Sequence, residues 1–292
     1  MDKQSSNVLS KADRIVERLE NVKNLPAVPK VLEEISLIFD SPDISVNKIS
    51  KIVGKDQSLM LKILSIANSP LYGLRRNVTS VENAILVLGI HEVKSIVTSL
   101  KMSSSINVKA DKYFDPNKFW HHSIVVGILA QRISKDLGFN FEGNGFVAGM
   151  LHDMGILVIH EFLQNEYKEI IEYAQTNNIT FLEAEYKVMG VSHQEIGEFL
   201  AEKWSLPSVY TDALRYHHQP TVSFENKYLS SILHVADYLI SIYDENIVLW
   251  DEDYKLDLSV IEQLNFLSPD EFEEFVEAYR EDSIEAAKSR VV

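Results

Sequence analysis

The chain has 292 residues, of which 46% are hydrophobic and 24% charged, enough to bury one large core or two smaller ones. It contains no cysteine, which excludes a disulfide framework and thiolate metal sites, so any metal must be held by His, Asp or Glu. The net charge of −15 disfavours general nucleic-acid binding, because such a surface repels a phosphate backbone. Residues 1–110 carry 15 Lys and Arg against 11 Asp and Glu, and residues 111–292 carry 13 against 32. The acidic second half reads as a solvated surface.

Residues 1–20 lack the apolar run of a signal peptide, and no stretch reads as the ~18 consecutive apolar residues that span a bilayer. A cytoplasmic location without membrane insertion is therefore expected. Val31, Leu32, Ile35 and Ile38 recur near the helical period, and the next break falls at Ser41–Pro42–Asp43, with Ser45 placed to cap a following helix. That helix and the one after it are separated by Gly54, and Asn68–Ser69–Pro70 and Tyr72–Gly73 end the second. Residues 103–118 are polar and read as a connection. His122, Val126, Leu129 and Ile133 share one helix face. An amphipathic stretch ends at Leu206–Pro207, and Pro207 and Pro220 bracket a helix carrying Tyr216, His217 and His218. From about residue 244 the chain is acidic, and Ser268–Pro269 opens what reads as one amphipathic terminal helix. No segment alternates as a strand does, so the fold is expected to be all-α, with about a dozen helices.

The helix–Gly–helix of residues 46–66 raises the possibility of a helix-turn-helix, since residues 44–76 hold four Lys and two Arg against one Asp. The second helix carries Leu59, Leu61, Leu64 and Ile66 with a single Lys62. It is too apolar for a major groove, and a helical hairpin is expected instead. Nucleic acid is not an expected partner.

Eight of the nine histidines follow residue 120. His122, His152–Asp153, His193, His217–His218 and Asp237 fall on successive predicted helices, in an order that chance rarely produces. Imidazoles and carboxylates suit divalent iron, manganese, nickel or zinc. Adjacent residues on a helix diverge by ~100°. His152 and Asp153 could therefore face two sides of one cavity, with Asp153 bridging a pair of ions. Two ions about 3.5–4 Å apart can clamp a phosphodiester. His121 is expected at the surface or beside the site. His234 could orient a ligand, and His160 and His91 show no constellation. Trp120, Trp204 and Trp250 read as core anchors.

LPAVPKVLEEI, SPDIS, KDQSLMLKILSIANSPLYG and VTSVENAILVLG, in that order within residues 25–100, resemble the start of the HDOD family. The resemblance implies a helical signalling module: a smaller N-terminal helical bundle at 1–110, an HD-domain-like bundle at 111–243, and here an acidic helical tail at 244–292. His122, His152, Asp153 and Asp237 also match the H…HD…D signature of HD metal phosphohydrolases. His193, His217 and His218 resemble the further ligands of the HD-GYP cyclic-dinucleotide phosphodiesterases. Most HDOD domains are regarded as having lost such ligands, and this chain resembles those that keep them. The departures are specific. Ile156 stands where those enzymes place a phosphate-binding Lys, HHQPTVSFENKY replaces their substrate loop, and Lys118 stands where some members have an acidic ligand. Glu185 sits where the family has an acid, with a capping or pairing role expected rather than ligation.

The expectation is a regulatory module with a metal pocket, little or no turnover, and a signalling protein or small phosphate-containing ligand as partner. The alternative is a metal-dependent phosphohydrolase acting on a nucleotide or cyclic dinucleotide, in which Asp153 would be catalytic.

Overall fold

The computed structural model describes residues 10–22, 44–104, 106, 108–139, 141, 143–223, 226–244, 248–250 and 254–289. The LPAVP opening, the periodic stretch at 31–38 and the break at 41–43 lie outside them. The described residues form helices and no strand.

Helix α1 (Lys11–Glu20) is closed at its start by a reciprocal capping box between Ser10 and Asp13. Although it opens the chain, it packs on the second half. Ile15 and Leu19 join the core around Met154 and Leu157, Lys11 Nζ donates to the Lys187 carbonyl at 3.0 Å, and Arg18 pairs with Glu166.

Helices α2 (Val46–Val53) and α3 (Gln57–Ala67) start at Ser45 and Asp56, whose side chains accept from the Lys48 and Leu59 N–H groups. Ile49, Val53, Leu59, Ile63 and Ile66 are buried, so the pair is a hairpin that commits both helices to the core. The segment after α3 is pinned by Asn68, whose amide donates to the Val78 carbonyl at 2.8 Å and accepts from Val78 N–H at 2.7 Å. Helices α4 (Val81–Leu88) and α5 (Ile90–Ser104) are separated by Gly89, at φ +93°, a left-handed value that disfavours a side chain.

Helix α6 (Pro116–Asp136) is capped by Asp115 and opens with Pro116 at its first position. It lies along α7 (Asn144–Leu151) and α13 (Lys227–Tyr243). A Cβ on Gly149 would stand 2.4 Å from the Gly127 Cα, so only a glycine pair lets α6 and α7 approach this closely. Helices α8 (Met154–Phe162), α9 (Gln164–Asn177), α10 (Phe181–Val188), α11 (His193–Lys203) and α12 (Ser208–Tyr216) complete the second bundle. One apolar cluster runs from α2–α5 through α6 and α13 to the C-terminal helices, and a second joins α1 to α8–α11.

Two expectations need correction. The stretch Asn144–Phe162 is long and apolar enough to cross a membrane, with mean hydropathy 1.2, yet 89% of it is buried inside the protein and it breaks at His152–Asp153 between α7 and α8. The acidic tail is not one terminal helix. After α14 (Val260–Gln263) it forms α15 (Pro269–Glu277) and α16 (Arg280–Lys288), broken at Tyr279. The break has a physical cause. Tyr279 turns inward to donate to Asp136 Oδ2 at 2.7 Å and to carry the Arg132 guanidinium over its ring, while Arg132 also pairs with Asp282 at 2.6 Å. Arg132 further donates to the Leu71 carbonyl at 3.0 Å, which ties the Pro70–Tyr72 turn to the C-terminal helices.

Candidate metal centre

Six helices bring seven side chains together. His122 projects from the middle of α6, and His152 and Asp153 occupy the break between α7 and α8. His193 is the first residue of α11, set by the Ser192–Glu195 capping box. His217 caps the end of α12, His218 follows it, and Asp237 lies on α13.

The ligand atoms form two groups that share Asp153. On one side, His122 Nε2 is 3.4 Å from His152 Nε2 and 3.2 Å from Asp237 Oδ1, and His152 Nε2 is 3.1 Å from Asp153 Oδ2. On the other, His193 Nε2 is 3.3 Å from His217 Nε2 and 3.1 Å from His218 Nε2. Asp153 Oδ1 stands 3.6 and 3.7 Å from the His193 and His217 nitrogens. For ligands at about 2.1 Å from one ion, neighbouring donor atoms lie roughly 3.0–3.4 Å apart, and most of these separations match. The carboxylate thus presents one oxygen to each group.

The outer hydrogen bonds strengthen the case for a cation. His152 Nδ1 donates to the Gly149 carbonyl at 2.6 Å, His217 Nδ1 to the Leu214 carbonyl at 2.7 Å, and His193 Nδ1 to Glu185 Oε2 at 2.8 Å. Each of these contacts assigns the ring hydrogen to Nδ1 and leaves the Nε2 lone pair facing inward when the imidazole is neutral. Neutral His193 and His217 then turn lone pairs on one another at 3.3 Å, an arrangement that repels unless a cation lies between. Among the described residues, both oxygens of Asp237 and Oδ1 of Asp153 are buried without a hydrogen-bond partner. A buried carboxylate left so carries a desolvation cost of several kcal/mol that a divalent cation offsets. The donor set therefore fits a pair of divalent ions.

Burial and mutual charge tune the same groups. Burial, reinforced by the neighbouring imidazoles His218, His152 and His193, pushes His217 well below its ordinary 6.5. His218 is pushed down in the same way, by burial and then by His193. Both are held in the neutral form that ligates. Burial also works against a charge on His152, but Asp153 and Asp237 outweigh it and lift its pKa to about 9. Asp153 itself is buried, yet the surrounding His152, His193 and His122 hold it far below the usual carboxylate range. Burial raises Glu185, partly offset by its bonds to His193.

The remaining sequence candidates fall elsewhere. His121 turns away to the Ala287 carbonyl at 3.0 Å, and His160 meets Asp111 at 3.1 Å and stacks on Phe114. His234 serves the site indirectly. Its Nε2 accepts from Asp257 N–H at 2.8 Å, so its Nδ1 donates to the His217 carbonyl at 2.7 Å. Ile156 is fully buried among apolar side chains and Lys118 is exposed. Glu185, expected to cap or pair with a basic group, orients His193 through both the ring and the backbone N–H, the latter at 3.1 Å. One residue was missed. Trp250, read as a core anchor, also donates its indole N–H to Asp153 Oδ2 at 2.6 Å, and nothing in its local sequence marks it.

Against known proteins, the HDOD domain family matches residues 25–220. An HDOD domain protein of unknown function from Geobacter sulfurreducens has a solved structure 26% identical, with a TM-score of 0.73 over 94% of this chain and 95% of that one. The structure of a protein provisionally assigned as a phosphohydrolase, from Shewanella amazonensis SB2B, is 22% identical with a TM-score of 0.68, covering 94% and 98% of the two chains; this likeness concerns the fold. An uncharacterized protein of Treponema pallidum (strain Nichols) is 23% identical over 227 residues, or 77% of this chain. The chain spans 44% of the length of that relative.

Proposed function

Because the chain belongs to the HDOD domain family, we propose that it is a cytoplasmic regulatory module of bacterial signal transduction whose second bundle holds a pair of divalent metal ions and turns over little or no substrate. The observation that carries the metal half of this reading is the inward convergence of Nε2 lone pairs around unpartnered, buried carboxylate oxygens. His122, His152, Asp153 and Asp237 would hold one ion, and His193, His217, His218 and Asp153 the other. Iron, manganese, nickel and zinc all suit such ligands.

Three features support the absence of efficient turnover. Six of the seven ligands are at most 2% exposed, and only His218 is half-buried. The phosphate-binding Lys position is Ile156, which faces core rather than cavity. In the segment after His218, the Pro220–Val222 turn leads to Ser223 and Asn226, both bonded to Asp212 Oδ2, so this stretch is braced against α12. A metal pair supplies charge that binds and polarises a phosphate ester, but in-line placement needs further cations, and positioning contributes several kcal/mol of barrier lowering. The partner on this reading is a signalling protein or a small phosphate-containing ligand.

The second reading, a metal-dependent phosphohydrolase, draws on the full ligand set and on the likeness to the Shewanella protein's fold. Elemental analysis of protein purified without chelator or metal-affinity resin tests the metal pair. Metal-loaded protein is then incubated with cyclic dinucleotides and simple phosphodiesters, with Asp153→Ala as control. Metal-dependent binding with slow or absent hydrolysis is expected. Rapid hydrolysis lost in Asp153→Ala would overturn the non-catalytic reading, and no metal under any loading condition would overturn the site.

A further inference from the structure

Beyond α13, which already brings Asp237 and His234 from outside the family match, the chain reaches the candidate metal centre at two further points. The HDOD match ends at residue 220, yet Trp250 donates to Asp153 Oδ2 at 2.6 Å from a ring that is itself 7% exposed. Its indole is stacked on Phe114 at 5.7 Å and tilted against Phe119 at 5.8 Å, so the N–H is aimed by packing on rings next to α6. Tyr254 lies against His218, the one partly exposed ligand, with ring centroids 4.9 Å apart. Its hydroxyl is 2.9 Å from His234 Nδ1, and His234 holds the His217 carbonyl.

Asp153 is the shared carboxylate, and its two oxygens must face two groups at once. An unrestrained carboxylate rotates about its terminal torsion, which has broad minima. Among the described residues, the Trp250 N–H donates to Oδ2 at the shortest distance, His152 Nε2 approaches the same oxygen at 3.1 Å, and Oδ1 has no hydrogen-bond partner. A donor on one oxygen fixes the carboxylate plane and leaves the second lone pair of that oxygen for a metal, which is how outer hydrogen bonds preset ligating carboxylates.

We infer that Trp250 is a positioning residue of the metal centre, supplied from outside the family's common segment: it sets the plane of Asp153 and so stabilises the ion shared with His122, His152 and Asp237. The inference rests on the metal-pair reading above. It goes beyond that reading in assigning part of the site to the C-terminal segment, in a role that relatives lacking this tryptophan would have to fill otherwise.

The test is Trp250→Phe, which keeps a ring stacked on Phe114 and removes only the indole edge and its N–H. Trp204→Phe is the packing control, because Trp204 is buried in the same apolar cluster. Manganese and zinc are titrated into chelated full-length protein, with affinity and stoichiometry read by chelator competition, alongside the thermal midpoint of the metal-free protein. The expected result is two ions in the wild type and in Trp204→Phe. In Trp250→Phe, one ion should be bound 10–100-fold more weakly, the range for loss of an outer-shell partner, and the other unchanged. Wild-type affinity for both ions in Trp250→Phe overturns the inference while leaving the metal pair standing. Equal loss of both ions in the two variants also overturns it, since that is a packing effect. A wild type that binds neither metal overturns the underlying reading and the inference together.

Discussion

Gly155 offers a sharp perturbation of the centre without touching a ligand. It lies in the first turn of α8, where the backbone of α11 crosses it. A Cβ there would stand 2.0 Å from the His193 carbonyl oxygen, 2.7 Å from the carbonyl carbon and 2.9 Å from the His193 Cα. Ordinary contact begins near 3.4 Å, so the two backbones must separate by about 3.4 − 2.0 = 1.4 Å along the worst contact. Backbone cannot rotate aside as a side chain can. Overpacking of this kind costs about 1–3 kcal/mol, occasionally more, and the upper end is expected here. Ligand distances tolerate only about ±0.2 Å, so the same shift carries His193 out of reach of a shared ion. Gly155→Ala should therefore lower the thermal midpoint by several degrees, at roughly 2–4 °C per kcal/mol, and empty the His193, His217 and His218 group. The control is close by. A Cβ at Gly197, within α11, meets nothing nearer than Leu214 Cδ2 at 3.6 Å. Gly197→Ala should be neutral or stabilise by about 0.4–1 kcal/mol through the unfolded chain. Calorimetry and elemental analysis of both variants decide the matter. A Gly155→Ala protein with wild-type midpoint and full metal content would refute the claim that this crossing places His193.

Glu185→Gln keeps an acceptor for His193 Nδ1 but removes its charge, and Glu185→Ala removes both; chelator competition should show metal affinity falling up to 10–100-fold, more in the alanine variant, and unchanged affinity would sink the orienting role. The metal-free protein should be most stable to urea near pH 6.5. His217 and His218, held below their unfolded value, contribute stability that is present above 6.5 and lost as pH falls beneath it, because only the unfolded chain then takes up protons. His152, raised to about 9 by Asp153 and Asp237 against burial, contributes stability that is complete below 6.5 and lost as pH rises toward 9; a profile flat from pH 5 to 9 contradicts both assignments. Ile156→Lys should destabilise by several kcal/mol, because the ammonium would be buried among apolar side chains, and it should add no phosphate affinity by calorimetric titration.

The converging His and Asp side chains were legible because metal chemistry leaves few residue types to choose from, and a chain without cysteine has fewer still. His122 could be placed from its helix face, a local signal, and the structure adds the Ser192–Glu195 capping box that sets His193 at the start of its helix. The break at His152–Asp153 was not legible as a break. The flanking residues Met150, Leu151, Met154 and Ile156 are apolar on both sides, so the pattern reads as one uninterrupted helix. Local patterning likewise missed the break at Tyr279, since a hydrogen bond to Asp136, 143 residues away, leaves no trace in the neighbouring sequence. The same holds for Trp250, whose partner lies 97 residues earlier. Periodicity places a side chain on a face of its own helix; which distant group that face meets depends on how the helices cross.

That difference bears on how the site works. Its ligands come from α6, α7, α8, α11, α12 and α13, elements belonging to both apolar clusters. A cation that satisfied Asp237 and Asp153 would join α13, which packs in the first cluster, to the start of α8, which packs in the second, beside α6, α7 and α12 that already belong to both. Binding to the folded state alone adds about 2.7 kcal/mol at one hundred times the dissociation constant, a large share of the net stability of an ordinary domain. A buried metal pair in this position would act thermodynamically as a fastener between parts of the fold. In that role its ligands need to converge and exclude water, and they need neither the phosphate-binding Lys nor the substrate loop that this chain has replaced.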